Sequence, residues 1–239
     1  VEPPAERGIE AIGTIVGAAI DIGTTTVAVQ LLDLSTGEVL ATAGDLNTQR
    51  VFGADVLSRV AHAMAGGAPE LQHLIAVQVE ALLAEVLRNA GFAAERLAEV
   101  VVVGNTAMTG LLLGADVSPL GAAPYEDAPV AAARVGAWET GMVAFPSLEL
   151  VVLPGVSAFI GSDITAGIIA TGLAERVAPT LMVDLGTNGE IVLAAGGQLI
   201  ATSTAAGPAL EGASIECGMG AEAGAIERVD LEGDTLVLS

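Results

Sequence analysis

Apolar residues in this chain cluster in short unbroken runs, punctuated by Gly, Thr and Pro, with one long stretch of helical spacing between them. Runs at 18–22, 27–32 and 39–43 are of strand length, and Ser35-Thr36-Gly37 joins the last two, so they predict an antiparallel meander on one sheet. The apolar spacing of 53–60 suits a helix, in which Asp55 and Arg59 at i and i+4 are expected to form a solvent-side ion pair. Pro69 opens a longer amphipathic helix with Leu71, Leu74, Ile75, Val79, Leu82, Leu83, Val86 and Leu87 inward, and Gly91 closes it. Four successive valines, Val100, Val101, Val102 and Val103, predict a strand buried on both faces, as parallel strands under helices are. Asn105 and Thr106 stand just past its end, where they either cap a helix over 107–113 or contact a ligand. Residues 114–148 have no regular pattern and are expected to serve as structural cover, a partner surface being the alternative. A buried strand at 150–153 and a helix over 157–173 follow. The runs at 181–186, 190–194 and 198–202 then repeat the opening meander.

The repeat carries a second signal. Asp21-Ile22-Gly23-Thr24-Thr25-Thr26 and Asp184-Leu185-Gly186-Thr187-Asn188-Gly189 each place an Asp at the end of an apolar run that reads as a buried strand, then a Gly-Thr turn, then a second strand. Gly23 and Gly186 let the backbone turn sharply near a ligand, and successive N–H groups in such a turn form an anion nest. Thr24, Thr25, Thr26, Thr187 and Asn188 add side-chain donors. Asp21 and Asp184 repel a bare phosphate, so their expected roles are to hold Mg²⁺, usually through its waters, and to orient an attacking water. One copy alone reads as an ordinary hairpin; two copies point to Mg·ATP.

Composition narrows the classes. In 239 residues the chain has 52% hydrophobic and only 3% aromatic residues, which indicates an α/β protein rich in small aliphatics. A mean hydropathy of +0.67 is high, yet no apolar stretch of spanning length lacks charges or turn residues. The expectation is therefore a cytoplasmic protein without membrane association. Its net charge of −21 disfavours nucleic acid as a partner. All eight basic residues are Arg, so mechanisms that need a lysine, such as a P-loop or a pyridoxal Schiff base, are excluded. The single Cys217 excludes an internal disulfide and reads as a buried small side chain, and His62 and His73 read as helix residues rather than metal ligands. Gly218-x-Gly220-x-x-x-Gly224 fails the dinucleotide-binding spacing.

Two meanders with matching turns imply two like-folded domains facing one cleft, and that architecture resembles the actin, sugar-kinase and heat-shock ATPase superfamily. Five segments narrow the match. They are the first Asp-Gly-Thr turn; Asn47-x-Gln49 followed by Gly53-x-Asp55-Val56-x-Ser58-Arg59; Val103-Gly104-Asn105-Thr106-Ala107-Met108; the second turn through Glu190; and Ser203-Thr204-Ala205-Ala206-Gly207-Pro208-Ala209-x-Glu211-Gly212. Together they resemble the reductive activators of corrinoid proteins.

The resemblance implies an actin-like ATPase (ribonuclease H-like) α/β fold. A linker is expected over 1–17, a first domain with the connecting helix over 18–172, and a partial second domain over 173–239. It implies an ATPase that drives a corrinoid methyltransferase protein from Co(II) to Co(I), with electrons arriving through a 2Fe–2S cluster in an N-terminal ferredoxin-like domain that this segment lacks. Asp21, Asp184 and Glu190 take the Mg²⁺ and water roles in that assignment, Glu190 alternatively being a solvent-facing strand residue. Gly23, Thr24, Thr25 and Thr26, with Gly186, Thr187 and Asn188, take the phosphates. Gly207 approaches the nucleotide or simply turns the chain into a helix through Glu211. A homodimer is one option for the assembly. A small-molecule kinase and a nucleotide-gated reactivating chaperone are the alternatives within the superfamily.

Overall fold

Side-chain alternation sets which way each strand of the first half faces. In the structure, a computed structural model that describes residues 14–186, 188–204, 229–232 and 235–238, β1 (Val16–Ile22) buries Val16, Ala18, Ile20 and Ile22 and exposes Ala19 and Asp21. β2 (Thr26–Asp33) buries Val27, Val29 and Leu31 on the same side of the sheet, and β3 (Val39–Leu46) completes the expected meander. β4 (Leu97–Gly104) lies parallel to β1. β5 (Ala133–Gly136) and β6 (Glu149–Val152) extend the sheet, which runs in the order β3-β2-β1-β4-β6-β5, with β6 parallel to β4. Residues 114–148, expected to be irregular, thus contain one edge strand. The four valines are buried on one face only: Val100 and Val102 are enclosed, whereas Val101 and Val103 are half-buried.

Helices cover the buried face. After α1 (Val56–His62), α2 (Ala68–Ala90) lays Leu71, Ile75, Val79, Leu82, Leu83, Val86 and Leu87 against the sheet. Each of these side chains contributes roughly 1.5–3 kcal/mol relative to exposure. Gly91 ends α2 in the left-handed region at φ 75°, its N–H bonded to the carbonyls of Leu87 and Arg88. α3 (Thr106–Leu112) is wholly buried. The helix expected over 157–173 is shorter: α4 spans Ser162–Ala170. Upstream of it the N–H groups of Val156 and Ser157 both donate to the carbonyl of Ile160, at 2.8 and 3.1 Å, which closes a tight bridge in place of a helical turn. Gly161 then passes so near β4 that a Cβ there would lie 2.5 Å from the carbonyl oxygen of Gly104.

The chain divides into two compact units after Leu173. In the second, β7 (Thr180–Leu185), β8 (Gly189–Ala195) and β9 (Gln198–Thr204) form the repeated antiparallel meander, and β10 (Val229–Glu232) pairs with β11 (Thr235–Leu238). Val192 and Ala194 are buried, but Leu181, Val183 and Leu185 are exposed, contrary to the buried strand expected there. The described residues of this unit include no α-helix to cover that face. Residues 1–13, Thr187, Gly207 with the helix expected after it, and Cys217 lie outside the described residues. No helix among those described is long and apolar enough to cross a membrane.

Candidate functional site

Parallel pairing brings the carboxyl ends of β1, β4 and β6 to one edge of the sheet, where α/β proteins place ligand-contacting residues. β1 ends in the first turn. Gly23 N–H donates to the Thr26 carbonyl at 2.9 Å, and a Cβ on Gly23 would stand 2.7 Å from that same oxygen, so only glycine fits without a shift.

The inner side of the turn is pinned by buried polar residues. Asn47 Nδ2 donates to the Gly23 carbonyl at 2.8 Å, Arg59 Nη2 to the Thr24 carbonyl at 2.6 Å, and Asn47 N–H to the Thr25 carbonyl at 2.8 Å. In a trans peptide the carbonyl and the following N–H point in opposite directions. The N–H groups of Thr24 and Thr25 are therefore directed away from the Asn47 amide and the Arg59 guanidinium, toward the side on which the sequence places an anion nest. Thr24 is buried, and its Oγ1 accepts from Asn105 Nδ2 at 2.9 Å. Asn105 Oδ1 meanwhile accepts from Met108 N–H and caps α3. Asn105 thus caps the helix, the first of its two readings, and also holds Thr24 in place. Because the Thr24 oxygen is the acceptor in that bond, the hydroxyl retains its proton to donate.

Arg59 corrects an expectation. It is fully buried and makes no ion pair with Asp55. Its Nε donates to the Gly53 carbonyl at 3.0 Å, and its Nη1 faces Met108 Sδ at 3.1 Å and Gln49 Oε1 at 3.5 Å. Asp55 instead caps α1, accepting from Ser58 N–H and Oγ at 2.8 Å each, and these bonds hold its carboxyl below the usual aspartate value. The i, i+4 spacing places the two residues on neighbouring turns, but the interior acceptors near Gln49 and Thr24 draw the guanidinium inward. Burial pushes the Arg59 pKa down to about 10.

Asp21 stands in β1 opposite Ala28 and Val103, on the face away from the core. It lines an open groove of about 390 Å³ with Gln30, Thr42, Val103, Leu153 and Ala166. At the same edge Ser162 Oγ bonds both the N–H and the carbonyl of Gly104, at 3.1 Å each, and Asp163 opens α4 beside Gly161. Among the described residues no cluster of three metal-ligating side chains occurs. Mg²⁺ carried by a nucleotide needs only one or two carboxylates, the phosphates and water supplying the rest, so an exposed Asp21 beside the nest fits it.

In the second unit Gly186 N–H donates to the Asn188 carbonyl at 3.1 Å, and Asp184 faces Glu190 directly across β7 and β8. Asp184 is exposed and Glu190 half-buried. Sequence reasoning named the turn residues but missed Arg59, Asn47 and Gln49 as their support. The available signal was the density of polar groups, Asn47 to Arg59, within a largely apolar chain.

A sheet of this order, with its Gly-Thr turn after the first strand and a second copy of the meander, is an actin-like ATPase architecture. Residues 16–176 match the RACo middle region and residues 178–239 the C-terminal ASKHA domain of RACo, and the chain belongs to that family. It is 36% identical, over 94% of its length, to the corrinoid activation enzyme RamQ of Eubacterium limosum, of which it covers 38%. With a Methanosarcina barkeri protein described as a Co(II) methylated amine-specific corrinoid protein reductase it shares 28% identity over 91% of its length, covering 41% of that protein. Among solved structures, a reductive activator for corrinoid, iron-sulfur protein superposes with a TM-score of 0.84 at 39% identity, over 95% of this chain and 37% of the other. The chain thus spans about two fifths of the length of these relatives.

Proposed function

We propose that this chain is the ATP-binding part of an activator that couples ATP hydrolysis to the reduction of a corrinoid protein from Co(II) to Co(I), the state that accepts a methyl group. The observation that supports the reading is the pinned Gly23-to-Thr26 turn beside the exposed Asp21, in a member of the RACo family. Thr24, Thr25 and Thr26 bind the β- and γ-phosphates, and Gly186, Thr187, Asn188 and Gly207 serve the nucleotide from the second domain. Asp21 and Asp184 hold Mg²⁺ and position the attacking water, with Glu190 beside Asp184. A 2Fe–2S ferredoxin-type domain would supply the one electron that takes Co(II) to Co(I); no residue of this chain would hold that cluster. ATP-driven domain closure supplies the work of that uphill step. The domain boundaries are 18–172 and 173–239, and the site of action is the cytoplasm.

The test uses the full-length protein with its corrinoid partner, in wild-type, Asp21→Ala and Asp184→Ala forms. Each variant is expected to lose Mg²⁺-dependent ATP turnover by a factor of a hundred or more, and the Co(I) absorbance that appears on reduction with it. Unchanged turnover and reduction in both variants refute the two-carboxylate assignment, and ATP-independent reduction by the wild type refutes the coupling.

A further inference from the structure

Arg59 is the one charged side chain among the buried described residues, and it meets no carboxylate there. Its contacts are all neutral: the carbonyls of Gly53 and Thr24, the Gln49 amide oxygen and the Met108 sulfur. The nearest acid along the helix, Asp55, is engaged with Ser58. Asp55 acts on the guanidinium only through space, and enclosing a cation with no carboxylate in contact is costly; interior acceptors of this kind satisfy its N–H groups without neutralising it. A neutral Gln or Met would fill the space at lower cost, so the charge itself calls for an explanation.

The explanation lies across the turn. Arg59 Nη2 donates at 2.6 Å to the Thr24 carbonyl, and the N–H on the other side of that same peptide belongs to Thr25, in the nest. A cation bonded to a carbonyl polarises the peptide and makes its N–H a stronger donor. In the low-dielectric interior its field also reaches further than a surface charge does. The molecule carries a net charge of −21, so a bound polyphosphate would otherwise sit in a repulsive field.

We propose that Arg59 is the buried counter-charge of the bound nucleotide phosphates, a positioning residue that acts through the Thr24–Thr25 peptide without touching the ligand. This rests on the reading above that the first turn holds phosphate. The contribution grows with the charge on the ligand, so ATP depends on Arg59 more than ADP does, and AMP least.

Calorimetric titration of the full-length protein with ATP, ADP and AMP at fixed Mg²⁺ tests it, in wild type and in Arg59→Gln, Arg59→Lys and Gln49→Glu. Arg59→Gln is expected to weaken ATP at least tenfold, ADP several-fold and AMP little. Arg59→Lys, which keeps a charge but not the fork, is expected to restore part of that gradation. Gln49→Glu leaves Arg59 in place and gives it the carboxylate it lacks; the same graded loss is expected, and this variant decides the matter if circular dichroism shows Arg59→Gln unfolded. Equal weakening of all three nucleotides, or none, shows Arg59 to be a structural brace and overturns the proposal while leaving the phosphate reading intact. A wild type that binds no ATP overturns both.

Discussion

Gly23 shows how little room the first turn has. Its missing side chain lets the Thr26 carbonyl close the turn from 2.9 Å, and a methyl group there would meet that oxygen at 2.7 Å. Gly23→Ala is therefore expected to cost roughly 1–3 kcal/mol of stability, read by urea unfolding, and to lower ATP affinity at least tenfold as Thr24 and Thr25 are displaced. Wild-type values in both measurements would show that the turn relaxes freely. Asn47 is the companion case, since one residue serves two carbonyls of the turn, that of Gly23 through its side chain and that of Thr25 through its backbone. The motif residues themselves were legible in the sequence because Gly-Thr after an apolar run is a local pattern. Their brace was not, because Arg59 reads from spacing alone as the partner of Asp55, and only three-dimensional packing decides between a solvent carboxylate and an interior carbonyl.

Helix ends follow the same division. Asp55 caps α1, its carboxylate accepting from Ser58 N–H and Ser58 Oγ, and both bonds favour its ionised form. A carboxyl group with a lowered folded pKa contributes stability above the unfolded value, near 3.8, and loses it as pH falls through the lower folded value. Asp55→Ala is accordingly expected to cost about 1 kcal/mol at pH 7, with the gap between variant and wild type closing as pH falls below 3.8; a gap independent of pH would show that the cap does not depend on ionisation. α2 was readable end to end, from Pro69 to Gly91, since its apolar stripe, first-turn proline and left-handed glycine are all written locally. α4 was not. Its apolar composition suggested a longer helix, but the contact of Gly161 with Gly104 and Asn105 and the bridge between Ser157 and Ile160 set its start.

Both units carry a meander and a turn, yet they are finished differently. The first has a helix-covered sheet and a continuous apolar core, whereas the described strands of the second expose Leu181, Val183 and Leu185. At the start of the second unit, residues 174–179 are exposed, Val177 at 97%. With no lysine and eight arginines, trypsin has few sites, and brief digestion is expected to cut first after Arg176, giving an N-terminal fragment that ends there. Mass spectrometry of the first products checks this, and initial cleavage within α1 or α2 would contradict the compactness of the first unit.

Local order of residues was enough to determine the strands of both meanders, the long helix, the two Asp-Gly-Thr turns and the family, because each depends on short-range periodicity, turn chemistry or a run of residue types in fixed sequence. Tertiary structure alone decided that Arg59 points inward, that Asn105 both caps α3 and holds Thr24, and that β4 buries one face only. Those outcomes turn on which acceptors and which apolar surfaces lie nearby after the chain has folded. Arg59 and Thr24 are 35 positions apart and Asn105 and Thr24 are 81 apart, so no local pattern encodes their meeting; the parallel pairing of β1 with β4 and the packing of α1 beneath the turn bring it about.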